Sequence, residues 1–154
     1  MEESLNTKDL YEEVKRVFGE PKGDVKQYSP LTHAFIGDAV YTLIVATMVV
    51  NKGNTANSKL HSMTEKYVSA RAQAAAADHF LKKGILTEEE LTVYKRGENA
   101  KPRSMAKNAT PYEYHKATGF EALMGYLYQT GRIDRCMELA KIAVEQQRVI
   151  KNER

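Results

Sequence analysis

The sequence predicts an all-α domain of about six helices, and three observations support that fold class. The first is a long apolar run with helix signals at both ends, Ser29-Pro30 before it and Gly53 after it. The second is a pair of capping boxes, Thr87-Glu88-Glu89-Glu90 and Thr110-Pro111-Tyr112-Glu113. The third is that no stretch shows the two-residue alternation of a half-buried strand.

The helical segments follow one another along the chain and are joined by short polar loops. Their approximate bounds are residues 7–18, 30–50, 57–84, 87–97, 110–130 and 133–145. The segment at 57–84 is rich in alanine, which favours helix and lets neighbouring helices approach closely. We expect one domain over residues 1–154, with its core at about 28–145, because a chain of this length can bury a substantial core.

Composition excludes few functions. The chain has 154 residues and a formal net charge of +3, which permits nucleic-acid binding without requiring it. Cys136 is the only cysteine, so a disulfide framework and a cysteine-based zinc site are excluded. The start Met1-Glu2-Glu3-Ser4 is unlike a signal peptide, and polar residues interrupt the apolar helix too often for a membrane span. The sequence therefore predicts a cytoplasmic protein.

Two acids stand in apolar helices beside glycines. Asp38 follows Gly37, and Glu121 lies between Gly119 and Gly125. A glycine inside a helix costs about 1 kcal/mol relative to alanine, so these glycines indicate that another helix or a ligand packs against the backbone. If the two glycine-bearing faces meet, Asp38 and Glu121 converge.

Converging carboxylates have two interpretations. They repel each other unless a divalent cation lies between them, and Mg²⁺ binds carboxylate oxygens together with several waters. Alternatively, both acids are structural and bind backbone amides or arginines. Spacing alone leaves the two interpretations equally open.

Two motifs resemble the ribonuclease III family. Phe35-Ile36-Gly37-Asp38-Ala39-Val40 is similar to the family's signature, a Phe-Leu-Gly-Asp-Ala core on a buried helix. Phe120-Glu121-Ala122-Leu123, with Gly125 after it, is similar to the second acidic motif, Phe-Glu-Ala-Leu followed by Gly. The resemblance spans about residues 28–145 and is closest to the Mini-ribonuclease III branch, which is reduced to the catalytic domain. Further likeness to that branch lies at Leu60-His61, Val68-Ser69-Ala70, Lys95 to Lys101 and Tyr114.

The resemblance implies an endoribonuclease that cleaves double-stranded RNA. Asp38 and Glu121 would be the catalytic residues and would coordinate Mg²⁺, with Mn²⁺ able to replace it. The resemblance further implies a homodimer, precursor 23S ribosomal RNA as the substrate, and no separate double-stranded-RNA-binding domain. Longer members of the family have two more acids, at the positions that are Ala34 and Thr118 here, and Mini-ribonuclease III also lacks them. Their absence favours an alternative, a ribonuclease III-like module that binds RNA or the ribosome without cutting.

A basic segment lies between the two acidic motifs. From Lys95 to Lys107 it has five cations and one acid, and phosphates of an RNA duplex would bind such a patch. A solvated surface loop is the alternative, but the position beside a nuclease motif favours RNA contact. The expected RNA-binding residues are Lys95, Arg96, Asn99, Lys101, Arg103 and Lys107. Arg71 and Gln73 are further candidates for contact with the RNA backbone.

The apolar surface predicts self-association. The helices at 34–50 and 117–128 have more apolar residues than one small bundle would bury. We therefore expect parts of these helices, or of the helix at 57–81, to form an isologous interface beside the cleft.

Overall fold

A computed structural model describes residues 9–101 and 110–152 of the chain. Within that part the protein has seven α-helices, one 3₁₀ turn and no strand, so the predicted all-α class is confirmed. The elements are α1 (Leu10–Phe18), the 3₁₀ turn (Val25–Gln27), α2 (Pro30–Val50), α3 (Asn57–Val68), α4 (Ala70–Lys82), α5 (Glu88–Glu98), α6 (Pro111–Gln129) and α7 (Ile133–Asn152).

Ser69 accounts for the difference between about six predicted helices and seven observed ones. The predicted helix at 57–84 is interrupted there, because Ser69 has an extended backbone with φ −62° and ψ 156°. Its hydroxyl accepts a hydrogen bond from the Ala72 amide at 3.2 Å, and its own amide donates to the Glu65 carbonyl at 3.1 Å. A serine oxygen that binds local backbone offers an alternative to the helical ladder, so one residue ends α3 and caps α4.

Both predicted capping boxes are present. The Thr87 hydroxyl accepts from the Glu90 amide at 3.1 Å, and the Glu90 carboxylate accepts from the Thr87 amide at 3.0 Å. Thr110 and Glu113 form the same pair of bonds at the start of α6. Glu90 is buried and is also bound by both Nε and Nη2 of Arg135, at 2.8 and 2.9 Å. The cap therefore also fixes α5 against α7.

Helix α6 is the centre of the domain, and α2, α4 and α5 pack around it. Its residues from Ala117 to Tyr128 are buried with the exception of Glu121. Phe120 lies in the core between the rings of Tyr41 and Phe80, with centroid distances of 4.8 and 5.9 Å. Other helices surround this part of α6, and Glu121 is its one residue that is not fully buried. The Glu121 side chain lines an open cleft on the surface of the domain.

Helix α2 is the element of the described chain that is long and apolar enough to span a membrane. A core helix of a soluble protein meets the same criterion. In this structure α2 packs along α6, and it contributes Tyr41, Val45 and Val49 to the core.

The glycine-bearing faces of α2 and α6 meet at backbone contact distance. A Cβ added at Gly37 would lie 1.8 Å from the Glu121 carbonyl oxygen. A Cβ added at Gly125 would lie 1.9 Å from the His33 carbonyl oxygen. No side chain larger than hydrogen fits at either position, so the glycines set the distance between the helices that carry the two acids.

Candidate active site

The crossing of α2 and α6 brings Asp38 and Glu121 together. Asp38 is exposed on α2, whereas Glu121 is partly buried on α6, and their side chains are within hydrogen-bonding reach. Burial, with the neighbouring Asp38 carboxylate as the second cause, raises the pKa of Glu121 to about 8. Without a cation at neutral pH, Glu121 is therefore largely protonated and can donate its proton to Asp38.

The acids lie in an open cleft of about 780 Å³ between α2 and the first half of α6. Ala34 and Thr118, the positions at which the resemblance implies acids in longer members of the family, line the same cleft. The Thr118 hydroxyl donates to the Tyr114 carbonyl in its own helix at 2.9 Å. Among the described residues, no three His, Cys, Asp or Glu side chains form a cluster that could hold a metal. Within residues 9–101 and 110–152, the acidic side chains that line this cleft are those of Asp38 and Glu121.

The expectation that Gln73 contacts RNA was wrong. Its side chain is only 1% exposed and does not line the cleft. The Gln73 amide instead faces Glu121 from within the protein and lowers the pKa of that carboxyl, which opposes the effect of burial. Neither Nε2 nor Oε1 has a hydrogen-bond partner of standard geometry within the described chain. The signal in the sequence was a single amide in an alanine-rich run, Ala70 to Ala77.

The basic segment begins at the exposed end of α5. The side chains of Lys95, Arg96, Asn99 and Lys101 are exposed, and in the described part of the chain none of the three cations forms an ion pair. None of these four residues lines the acid cleft. Arg103 and Lys107, the other two candidates, lie outside the described residues.

The end of α5, within the basic segment, contacts the start of α6. The Lys116 ammonium on α6 lies 3.3 Å from the Glu98 carboxylate and 2.9 Å from that of Asp78. The His115 Nδ1 lies 3.0 Å from the Glu98 carbonyl oxygen, to which it donates in the Nδ1-protonated form. These contacts hold the end of α5 and the first turns of α6 together.

The raised pKa of Glu121 predicts how the stability of the metal-free protein depends on pH. The folded state binds this proton more tightly than the unfolded state, whose carboxyl has an ordinary pKa of 4.5. The contribution of Glu121 to the free energy of unfolding should therefore decrease as pH rises from about 4.5 to about 8. We expect Glu121→Gln, which stays uncharged, to gain stability relative to wild type between about pH 5 and about pH 8. The denaturation midpoints of both proteins, measured in chelator at about pH 5 and about pH 8, test this expectation. A difference in midpoint that is the same at both pH values would contradict it.

Comparison with known proteins identifies the family. Residues 31–132 match the family model described as the ribonuclease III domain. The chain belongs to the ribonuclease III family. That match contains both acids, Gln73 and all six candidate RNA-binding residues.

Relatives place the chain in one branch of the ribonuclease III family. Mini-ribonuclease 3 of Enterococcus faecalis is 47% identical over 116 residues, which are 75% of this chain and 88% of that protein. Mini-ribonuclease 3 of Clostridium tetani is 42% identical over 124 residues, which are 80% and 81% of the two chains. A crystal structure of a Fusobacterium nucleatum protein superposes with a TM-score of 0.70 at 27% identity, over 86% of this chain and 100% of that one. The chain thus belongs to the Mini-ribonuclease III branch, and it is an endoribonuclease of the ribonuclease III type.

Proposed function

We propose that this chain is a divalent-metal-dependent endoribonuclease that cleaves double-stranded RNA in the cytoplasm. Asp38 and Glu121 are its catalytic, metal-binding residues, and Mg²⁺ is its cation, with Mn²⁺ able to replace it. The observation that carries the proposal is the contact of two carboxyl groups from the two family motifs in an open cleft. Precursor 23S ribosomal RNA as the natural substrate rests on the likeness to Mini-ribonuclease III alone.

The residues of the cleft fit a hard divalent cation. Burial raises the pKa of Glu121, and the neighbouring Asp38 carboxylate raises it further. A cation between the two carboxyl groups would remove the repulsion between them. Mg²⁺ is commonly held by one or two carboxylates and completes its shell with water, for which the small side chains of Ala34 and Thr118 leave room. When bound, the cation supplies Lewis-acid activation of water and neutralises charge at the phosphate. Asp38 and Glu121 hold it at the cleft, and no protein nucleophile is required.

A cleavage assay tests this function. Purified protein is incubated with an RNA duplex in Mg²⁺, in Mn²⁺ and in excess chelator. We expect cleavage of both strands with either cation and none with chelator. Binding of the duplex without cleavage in either cation would contradict the proposal. It would favour a module that only binds RNA or the ribosome, an alternative suggested by the lack of acids at Ala34 and Thr118.

An exposed apolar surface beside the acids supports the homodimer. Phe35, one turn before Asp38, is 82% exposed, and Leu31 and Leu43 on the same helix are also exposed. All three line the acid cleft. Exposed apolar patches of this kind mark interaction sites. A second copy related by a two-fold axis would cover the patch and set two acid pairs in a fixed relation, which cutting both strands of a duplex requires.

Phe35→Glu is expected to convert the dimer into monomers that cut RNA poorly although both acids are intact. A buried aromatic anchor at an interface contributes about 2 kcal/mol or more, so the dissociation constant should rise at least roughly thirty-fold. Phe18→Glu is the matched control, because Phe18 on α1 is 83% exposed but does not line the cleft. Sedimentation velocity at micromolar concentration measures the change. A wild-type monomer that cuts both strands in one encounter would contradict the dimer.

The exposed end of α5 and the loop after it are the proposed RNA-binding surface. Lys95, Arg96 and Lys101 form no ion pair in the described chain, and Lys116 and His115 hold the end of α5 at Glu98. Exposed cations on a positioned helix end can contact phosphates of an A-form duplex without reading its sequence.

A triple variant tests this surface. Lys95→Gln, Arg96→Gln and Lys101→Gln together should weaken duplex binding for every sequence and reduce the slope of log K against log salt by about one for each lost phosphate contact. The matched control is Lys59→Gln, Lys82→Gln and Lys83→Gln, which removes the same charge from exposed positions on α3 and at the end of α4. Filter binding from low to high salt measures both slopes. A slope equal to that of the control would mean that the loop faces solvent.

A further inference from the structure

The side chain of Gln73 lies behind the acid pair. It extends from α4 toward α6 and is among the largest fully buried side chains of the described chain. Because Gln73 does not line the cleft, it approaches Glu121 from the protein interior. Asp38 approaches Glu121 from α2. The neighbouring Ala72, Ala74, Ala76 and Ala77 are buried and small, which lets α4 pack closely enough for the amide to reach α6.

The Gln73 amide has no partner that explains its burial. Both Nε2 and Oε1 are buried without a hydrogen bond within the part of the chain described. A buried amide left unpaired is destabilising, whereas an apolar side chain of the same size would avoid that cost. A buried unpaired group in a native core calls for a reason, and a role at a functional site is one such reason.

The Glu121 carboxyl is the polar group that the Gln73 side chain faces. A carboxylate has two acceptor oxygens, so it can accept a hydrogen bond from an amide on its inner side and face the cleft with its other oxygen. Among the described residues, Gln73 is the side-chain amide that interacts with Glu121 from the protein interior.

We propose that Gln73 is a positioning residue, whose Nε2 holds the Glu121 carboxylate in the orientation in which Glu121 and Asp38 together bind the divalent cation. The inference rests on the proposed metal-dependent function. Carboxylates that bind metals are commonly hydrogen-bonded by groups outside the coordination shell, and loss of such a partner typically weakens metal binding roughly 10- to 100-fold. Gln73 does not replace the acids missing at Ala34 and Thr118, since it acts through Glu121.

Metal affinity without RNA tests the role. The variants are Gln73→Met, which keeps the length of the side chain without its amide, and Gln73→Asn, which keeps the amide but shortens its reach. Gln146→Met on α7 is the matched control, because Gln146 also has a buried oxygen without a partner in the described chain. Free Mn²⁺ is measured by electron paramagnetic resonance in titrations of the full chain. We expect both Gln73 variants to bind Mn²⁺ at least about tenfold more weakly than wild type, and Gln146→Met to bind it equally well.

Metal-free stability separates this role from a merely structural one. A positioning role predicts that Gln73→Met keeps or exceeds the wild-type denaturation midpoint in chelator, since it removes an unpaired amide. A structural role predicts a lower midpoint with unchanged Mn²⁺ affinity, and that pattern would overturn the inference. If Gln73→Met does not fold, the Mn²⁺ affinity of Gln73→Asn and the nuclear magnetic resonance measurement on wild type still test the inference.

Nuclear magnetic resonance tests the wild-type protein directly. The side-chain amide signals of Gln73 should shift when Mg²⁺ is added, whereas those of Gln146 should not. Unchanged Gln73 signals at saturating Mg²⁺, or equal Mn²⁺ affinity in the variants, would overturn the role of Gln73 while leaving the metal site intact. Wild-type protein that binds neither cation would overturn the proposed function and this inference together.

Discussion

Asp38→Asn and Glu121→Gln are each expected to lower the rate of duplex cleavage at least about 1,000-fold without unfolding the protein, because a metal site contributes several kcal/mol to the transition state. Each substitution keeps the size of the side chain and removes one of the two carboxylates that the α2–α6 crossing brings together. Glu121→Gln also removes a buried acid whose ionisation is unfavourable, so the fold should not suffer.

Single-turnover cleavage with saturating enzyme measures this loss apart from any change in duplex binding. Glu65→Gln is the matched control, since Glu65 is an exposed acid on α3 that does not line the cleft. It should cut at the wild-type rate. A wild-type rate in either Asp38→Asn or Glu121→Gln would refute the assignment of the catalytic pair.

Gly37→Ala should produce the largest loss of stability of any single methyl group added to α2. Its Cβ would lie 1.8 Å from the Glu121 carbonyl oxygen and 2.7 Å from the Gly125 amide nitrogen. Both obstacles are backbone atoms of α6, so no side chain can rotate away and the helices must separate. Overpacking in a core usually costs about 1–3 kcal/mol, and we expect the upper end of that range or more here. Cleavage should fall as well, because separating the helices also separates Asp38 from Glu121.

Val50→Ile is the control for Gly37→Ala, since it adds one methyl group to the exposed end of the same helix. Its effect on the free energy of unfolding should stay within about 0.5 kcal/mol. Denaturant unfolding of both variants measures the difference. A Gly37→Ala protein as stable and active as wild type would mean that α2 and α6 are not in backbone contact at this crossing.

The sequence alone determined most helix starts, because local chemistry sets them. The predicted end of the last helix at 145 was wrong, since α7 continues to Asn152. The capping boxes at Thr87 and Thr110 start helices where predicted, since a threonine hydroxyl and a glutamate three residues later satisfy amides of the first turn. Ser69 was the exception, although its hydroxyl also acts locally, because the helical pattern continues on both sides of it. The glycines at 37 and 125 indicate a close helix contact by their position in the sequence, since a glycine inside a helix is otherwise unfavourable.

Only the tertiary structure decided which side chains face solvent and which face each other. Helix α2 is apolar on most of its surface, so its sequence pattern could not distinguish the exposed Phe35 from the buried Tyr41. The sequence pattern around Gln73 is compatible with an exposed side chain, but the packing of α4 against α6 buries its amide beside Glu121. Burial and electrostatic contact depend on the distance between helices that are far apart in the chain, and neither propensity nor periodicity contains that distance.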